Sequence, residues 1–216
     1  MTARADLSGR RLYLCTPDRP DLEAFVSACI DGGVDVVQLR DKQLDARPLI
    51  ARARIAAAVC RDHGVPFVLN DRPDLALEAE ADGVHVGQDD APVTLARRIL
   101  GPDAIVGLST HTVEDLDGAT DEDVTYLSAG PVEPTPTKPG RPGTGLAYVT
   151  QASARSTVPV FVTGGVTPEK IPALVVNGVR HFVVVRYLTL APDPRAAARS
   201  LRDAIERASS SAPAAT

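Results

Sequence analysis

No stretch of this sequence is apolar for long enough to cross a bilayer, and its first residues, MTARADLSGRR, lack the apolar core of a secretory signal. Both absences argue against a membrane partner and make the cytoplasm the expected location. Excess positive charge is also lacking. Lys and Arg number 23 against 28 Asp and Glu, a net charge of −5, so no general nucleic-acid surface is expected. Basic residues gathered in one cleft would then serve a small anion. Cysteine is scarce and unpatterned: Cys15, Cys29 and Cys60 show no C-x-x-C spacing and no neighbouring histidine pair. Cys29 and Cys60 read as small core residues on helices. Cys15 reads the same way, although it closes a strand and could approach a site. No Ser–His–Asp arrangement can be argued from the spacing. No glycine-rich fingerprint follows the first strand, where LCTPDRPD stands instead.

What is present is a rhythm. At 216 residues, 44% hydrophobic and 24% charged, the chain is sized for one substantial core. Short apolar strands recur as RLYLCT, VDVVQLR, PFVLN, GVHVG, AIVGLST, VTYLSAG, PVFVTGG and HFVVVRYL. Between them lie helical patterns such as LIARARIAAAVCRDHG, VTLARRILG and DPRAAARSLRDAIERA. Gly64 and Gly101 are placed to stop two helices, and Thr167 with Pro168 to start another. Strand–helix alternation implies parallel strands with right-handed crossovers. Eight such units predict a single-domain α/β fold, a compact (β/α)₈ TIM barrel over residues 1–207, with ASSSAPAAT (208–216) as a disordered tail.

In such a barrel the C-terminal strand ends carry the active site. VVQLRDK (36–42) begins as a buried strand, yet Gln38, Arg40 and Lys42 fall on one face of it. Strand three ends at Asn70 and Asp71, and strand four runs on to Asp90. Two carboxylates from neighbouring strand ends suit Mg²⁺, and both positions equally suit helix caps, as does Asp89; spacing alone does not choose. Arg40, Lys42 and Lys138 form a cradle for a diphosphate, with hydroxyls from Ser109, Thr110, Thr135 and Thr137. The loop PTPTKPGRPGTG is long enough to act as a lid. Gly164 and Gly165, with the backbone of Val185 and Arg186, suggest a second, monophosphate pocket. His85 reads as either an internal structural histidine or a catalytic one, and His111 is placed to orient the serine or cap the next helix. His63 and His181 read as structural.

These residues, QLRDK, ND, ADGVHVGQDD, GLSTHT, GP followed by TPTK, and GG, resemble in order the motifs of the thiamine-phosphate synthase family. The resemblance covers nearly the whole chain and implies a Mg²⁺-dependent transferase on a (β/α)₈ barrel. It implies condensation of an aminopyrimidine methyl diphosphate with a thiazole phosphate, in its carboxythiazole form, to thiamine phosphate and pyrophosphate. By position it assigns Gln38, Leu39, Arg40, Asp41, Lys42, Asn70, Ser109 and Lys138 to the pyrimidine diphosphate. It gives Arg40, Lys42, Ser109 and Lys138 roles in catalysis and implies that Asp71 and Asp90 hold one Mg²⁺. It assigns Thr135, Pro136, Thr137, Gly165, Val185 and Arg186 to the thiazole phosphate site and implies a homodimer. Two positions depart from the family pattern: Arg186, where a small residue such as serine is frequent, and Glu133, where an aromatic one is. A related barrel, the thiazole tautomerase, carries a histidine after the strand-six glycine; Pro131 stands there instead. A silent phosphate-binding barrel would have no use for Asp71, Asp90 and Lys138 together.

Overall fold

The computed structural model describes residues 6–135 and 142–211. Eight parallel strands close into a barrel in sequence order. They are β1 (Leu12–Thr16), β2 (Val36–Leu39), β3 (Phe67–Asn70), β4 (Gly83–Val86), β5 (Ile105–Thr110), β6 (Tyr126–Ala129), β7 (Val160–Val162) and β8 (His181–Val184). Closure is made by β8 against β1, with Leu12 beside Phe182 and Tyr13 beside Val183. Each crossover carries a helix: α1 (Leu22–Asp31), α2 (Ala46–Asp62), α3 (Pro73–Glu78), α4 (Val93–Leu100), α5 (Val113–Gly118), α6 (Gly145–Arg155) and α7 (Ile171–Val176). The short α8 (Arg186–Thr189) and the long α9 (Pro194–Ser211) complete the ring. All eight predicted strands are found. No described helix is long and apolar enough to cross a membrane.

The helices form where apolar residues repeat at helical spacing. In α2, Leu49, Ala53, Ala56, Ala57 and Cys60 are buried, while the arginines between them stay at the surface. The α2 and α4 helices stop at His63–Gly64 and Gly101, as the glycine positions predict. Thr167 does not cap α7. Its carbonyl accepts from the Lys170 and Ile171 amides, so it opens a tight turn and the helix begins only at Ile171. At the C-terminus, α9 runs to Ser211, beyond the start of the expected tail, and residues 212–216 lie outside the described residues.

Two apolar layers result. One lies between barrel and helices and takes outward-facing strand residues such as Leu14, Val37, Leu39, Leu69 and Val84. The other fills the barrel itself, with Tyr13, Val36, Val68, Ile105, Tyr126 and Phe161. Along the inward faces the chemistry changes from floor to mouth: Val36 precedes Gln38, Val68 precedes Asn70, and Ile105 precedes Ser109 two turns of the pleat later. Gly107, inward-facing between Ile105 and Ser109, makes room for Tyr126. A Cβ there would sit 2.1 Å from the Tyr126 ring.

Candidate active site

The mouth of the barrel opens into a cavity of about 630 Å³. Gln38, Arg40, Lys42, Asn70, Asp71, Asp90, Ser109, Thr135, Gly165, Val185 and Arg186 all line it. Pro136, Thr137 and Lys138 lie outside the described residues. Leu39 and Asp41 are placed elsewhere. Leu39 alternates outward into the layer under the helices. The Asp41 carboxylate accepts from the backbone amides of Gln43 at 2.9 Å, Leu44 at 3.1 Å and Asp18 at 3.3 Å, so it fastens two mouth loops together.

The carboxylate pair is built by backbone geometry. Asp71 sits at a φ of 65°, a left-handed conformation that costs a non-glycine residue about 1–2 kcal/mol. Its amide donates to the His85 carbonyl at 2.8 Å, which anchors that turn to β4. Lys42 Nζ lies 2.8 Å from Asp71 Oδ2, and Asp90 Oδ2 accepts from the Gly87 amide at 2.8 Å. Neither aspartate caps a helix. The residues that precede α3 and α4 are Arg72 and Pro92, and neither helix has a side-chain cap. Burial raises the Asp71 carboxyl above its ordinary value; the Lys42 hydrogen bond opposes the rise and the hydrogen bond with Asp90 adds to it. Burial acts on Asp90 in the same sense, but hydrogen bonds from Asp71 and the Gly87 amide outweigh it and hold that carboxyl low. Of the two carboxyls, Asp71 is thus the weaker acid, as expected of facing carboxylates.

Across the cavity two glycines bring backbone into the lining. Gly164 and Gly165 take φ values of 97° and 77°, open to glycine and strained for other residues. Glu133 forms an ion pair with Lys170 at 2.6 Å, and its carboxylate packs on Gly165. That pair ties the segment after β6 to the loop after β7. Val185 and Arg186 open α8.

Sequence reasoning did not single out Tyr13, Tyr126 and Ser128, which also line the cavity. The available signal was strand alternation, which puts Tyr13 on one face with Cys15 and Tyr126 on one face with Ser128. His85 is buried, with Nε2 at 2.9 Å from Ser109 Oγ and Nδ1 at 2.9 Å from the Tyr126 hydroxyl. The histidine that meets the serine is therefore His85. The His111 ring meets the Gly130 carbonyl at 2.6 Å, and the cap of α5 is Thr112 in a capping box with Asp115. His63 and His181 bond backbone carbonyls of Val59 and Arg10. Burial pushes the Cys29 and Cys60 thiols up to about 12, which keeps them as unreactive core residues.

Comparison with known proteins places this geometry. The family model described as thiamine monophosphate synthase matches residues 12–188. The chain is 45% identical over 212 residues to the thiamine-phosphate synthase of Mycobacterium sp. (strain KMS), with 92% of this chain and 94% of that protein covered. It is 47% identical over 210 residues to that of Saccharopolyspora erythraea, covering 92% and 94%. Among solved structures, thiamine phosphate pyrophosphorylase from Pyrococcus furiosus superposes with a TM-score of 0.83 at 29% identity, covering 92% of this chain and 96% of that one. A barrel of this topology, matched by the family model over all eight strands, leaves one assignment: the chain belongs to the thiamine monophosphate synthase family.

Proposed function

We propose that the chain makes thiamine phosphate in this cavity, with the pyrimidine diphosphate held by the β2–β5 wall and the thiazole phosphate by the β6–β8 wall. The observation that carries this reading is the convergence of Arg40, Lys42, Asn70, Asp71, Asp90 and Ser109 on one side of a single cavity and Gly164, Gly165, Val185 and Arg186 on the other. The transferase activity is that of the family to which the chain belongs.

Asp71 and Asp90 fit one Mg²⁺. They are two hard oxygen donors from neighbouring strand ends that line one cavity, which suits an ion that takes one or two carboxylates and completes its shell with substrate phosphate and water. Among the described residues there is no group of three or more His, Cys, Asp or Glu side chains placed to hold a metal ion. When bound, Mg²⁺ neutralises charge on the diphosphate. Arg40 supplies planar paired donors and Lys42 a point charge to the same group, and Lys138 would add another.

The aminopyrimidine delocalises positive charge as the carbon–oxygen bond to the diphosphate breaks, so the protein needs no strong nucleophile. Its task is to stabilise negative charge on the departing pyrophosphate and to exclude water. Arg40, Lys42 and the Ser109 hydroxyl line the wall assigned to that group and would stabilise the charge. The thiazole nitrogen then gives its electron pair to the pyrimidine methylene, held close by its own phosphate on the Gly164 and Gly165 backbone. Pyrophosphate release measured with both substrates and Mg²⁺, and with each omitted, tests the reading. Release should require all three and fall at least about 100-fold in Asp90→Ala. Isomerisation of the thiazole phosphate without pyrophosphate would overturn it in favour of a tautomerase. Running the assay with carboxylated and decarboxylated thiazole phosphates identifies the form used.

A further inference from the structure

Below the mouth, a line of buried polar groups crosses the barrel through its own interior. Cys15 Sγ lies 3.1 Å from Gln38 Oε1, and Gln38 Nε2 lies 3.0 Å from the Tyr13 hydroxyl. The Tyr13 and Tyr126 hydroxyls are 2.8 Å apart, and His85 joins Tyr126 to Ser109 at 2.9 Å on each side. Gln38, Tyr13, Tyr126, His85 and Ser109 are each at most 8% exposed, so the bonds are largely shielded from solvent. We infer that this chain has a single polarity, Gln38 to Tyr13 to Tyr126 to His85 to Ser109, and that it holds the Ser109 proton toward the cavity as a donor to the departing diphosphate. The inference rests on the assignment of Ser109 to the diphosphate made above, and it makes Tyr13, Tyr126 and His85 positioning residues.

The polarity follows from counting protons. The Gln38 Oε1 atom accepts from the Cys15 thiol, so it is the amide nitrogen, a donor only, that meets Tyr13. Tyr13 accepts there and has one proton to give, which goes to Tyr126. Tyr126 in turn gives its one proton to His85 Nδ1. A neutral imidazole that accepts at Nδ1 carries its hydrogen on Nε2. That hydrogen goes to Ser109 Oγ, and the serine's own proton is left directed at the cavity its side chain lines. Burial pushes both phenols up, so each keeps the proton the chain requires. Bonds aligned in one sense also polarise one another, which makes the last hydroxyl a better donor than an isolated serine.

Reversal at the first link should reverse the last. In Gln38→Glu a carboxylate can only accept, so Tyr13 donates to it, Tyr126 to Tyr13, and His85 Nδ1–H to Tyr126. Ser109 then donates to His85 and is lost to the substrate. The tautomer of His85 reads this directly, by nitrogen–proton correlation NMR on histidine-labelled, substrate-free protein, with His85 assigned by its disappearance in His85→Gln. The expected result is hydrogen on Nε2 in the natural sequence and on Nδ1 in Gln38→Glu. Hydrogen on Nδ1, or on both nitrogens, in the natural sequence overturns the inference, as does an unchanged tautomer in Gln38→Glu. A kinetic arm tests action through the serine. Tyr126→Phe should lower kcat about tenfold with KM for the diphosphate little changed, and Tyr126→Phe combined with Ser109→Ala should be no slower than Ser109→Ala alone. Multiplying effects in the double variant would overturn it. If the natural protein releases no pyrophosphate at all, the synthase reading fails while the tautomer result stands by itself.

Discussion

The two walls of the cavity are made of different material. From β2 to β5 the mouth presents charged and hydroxyl side chains: Arg40, Lys42, Asp71, Asp90 and Ser109. From β7 to β8 it presents backbone, at Gly164 and Gly165 with positive φ and at Val185 and Arg186 where α8 begins. On the first wall the groups restrain one another. Lys42 is paired with Asp71, Asp71 with Asp90, and Asp90 with the Gly87 amide, so each side chain depends on its neighbours. On the second, backbone conformation shapes the lining at Gly164 and Gly165, where φ is positive. The two positions where the sequence reading expects other residue types, Glu133 and Arg186, both fall on that side. Glu133 is held there by its ion pair with Lys170.

Three substitutions sharpen the contrast. The largest effect is expected from Lys42→Met, which removes a charge beside the proposed metal pair and diphosphate: kcat/KM should fall about 100-fold while KM for the thiazole phosphate stays constant. Steady-state pyrophosphate release with each substrate varied in turn checks both halves, and equal weakening of the two substrates would erase the division between walls. Gly164→Ala comes next. Its φ of 97° is strained for alanine, and the added Cβ would lie 2.5 Å from Pro131 Cβ. Denaturant unfolding should show a loss of about 1–3 kcal/mol, and KM for the thiazole phosphate should rise about tenfold with that for the diphosphate unmoved. The smallest effect is expected from Arg186→Ser. If backbone amides hold the phosphate, thiazole phosphate affinity changes less than about fivefold, as for an exposed charge. A hundredfold loss in a binding titration would instead make the guanidinium an anion ligand, and the second wall a side-chain site like the first.

Much of the fold was readable because each strand carries its own local signal, a short β-branched run bounded by turn residues, and each helix a 3.6-residue apolar repeat. The charged wall was readable for a related reason: alternation puts Gln38 and Arg40 on one face whatever the strand packs against, and polar residues at barrel strand ends stand out. What escaped were residues whose role comes from a partner far along the chain. Tyr13 and Tyr126 look like ordinary strand aromatics, yet 113 positions apart their hydroxyls meet at 2.8 Å in the barrel interior. Asp41, read as a ligand from its place in QLRDK, turns its carboxylate onto three backbone amides of the loops beside it. Thr167 looked like a cap because the local pattern fits one, but a turn intervenes before α7.

By itself, then, the sequence determined the period of the elements, the parallel alternation and the residue types available at each strand end, since these depend on neighbours within a few positions. Whether Asp71 and Asp90 cap helices or face each other, which histidine touches Ser109, and in which direction a buried hydroxyl gives its proton were decided only by strand pairing and barrel closure. Pairing sets His85 of β4 beside Ser109 of β5, and closure brings Tyr126 within hydrogen-bond distance of Tyr13 and His85 in a largely buried interior. There an unpaired polar group costs about 1–3 kcal/mol, so the network settles into the arrangement in which its donors find acceptors.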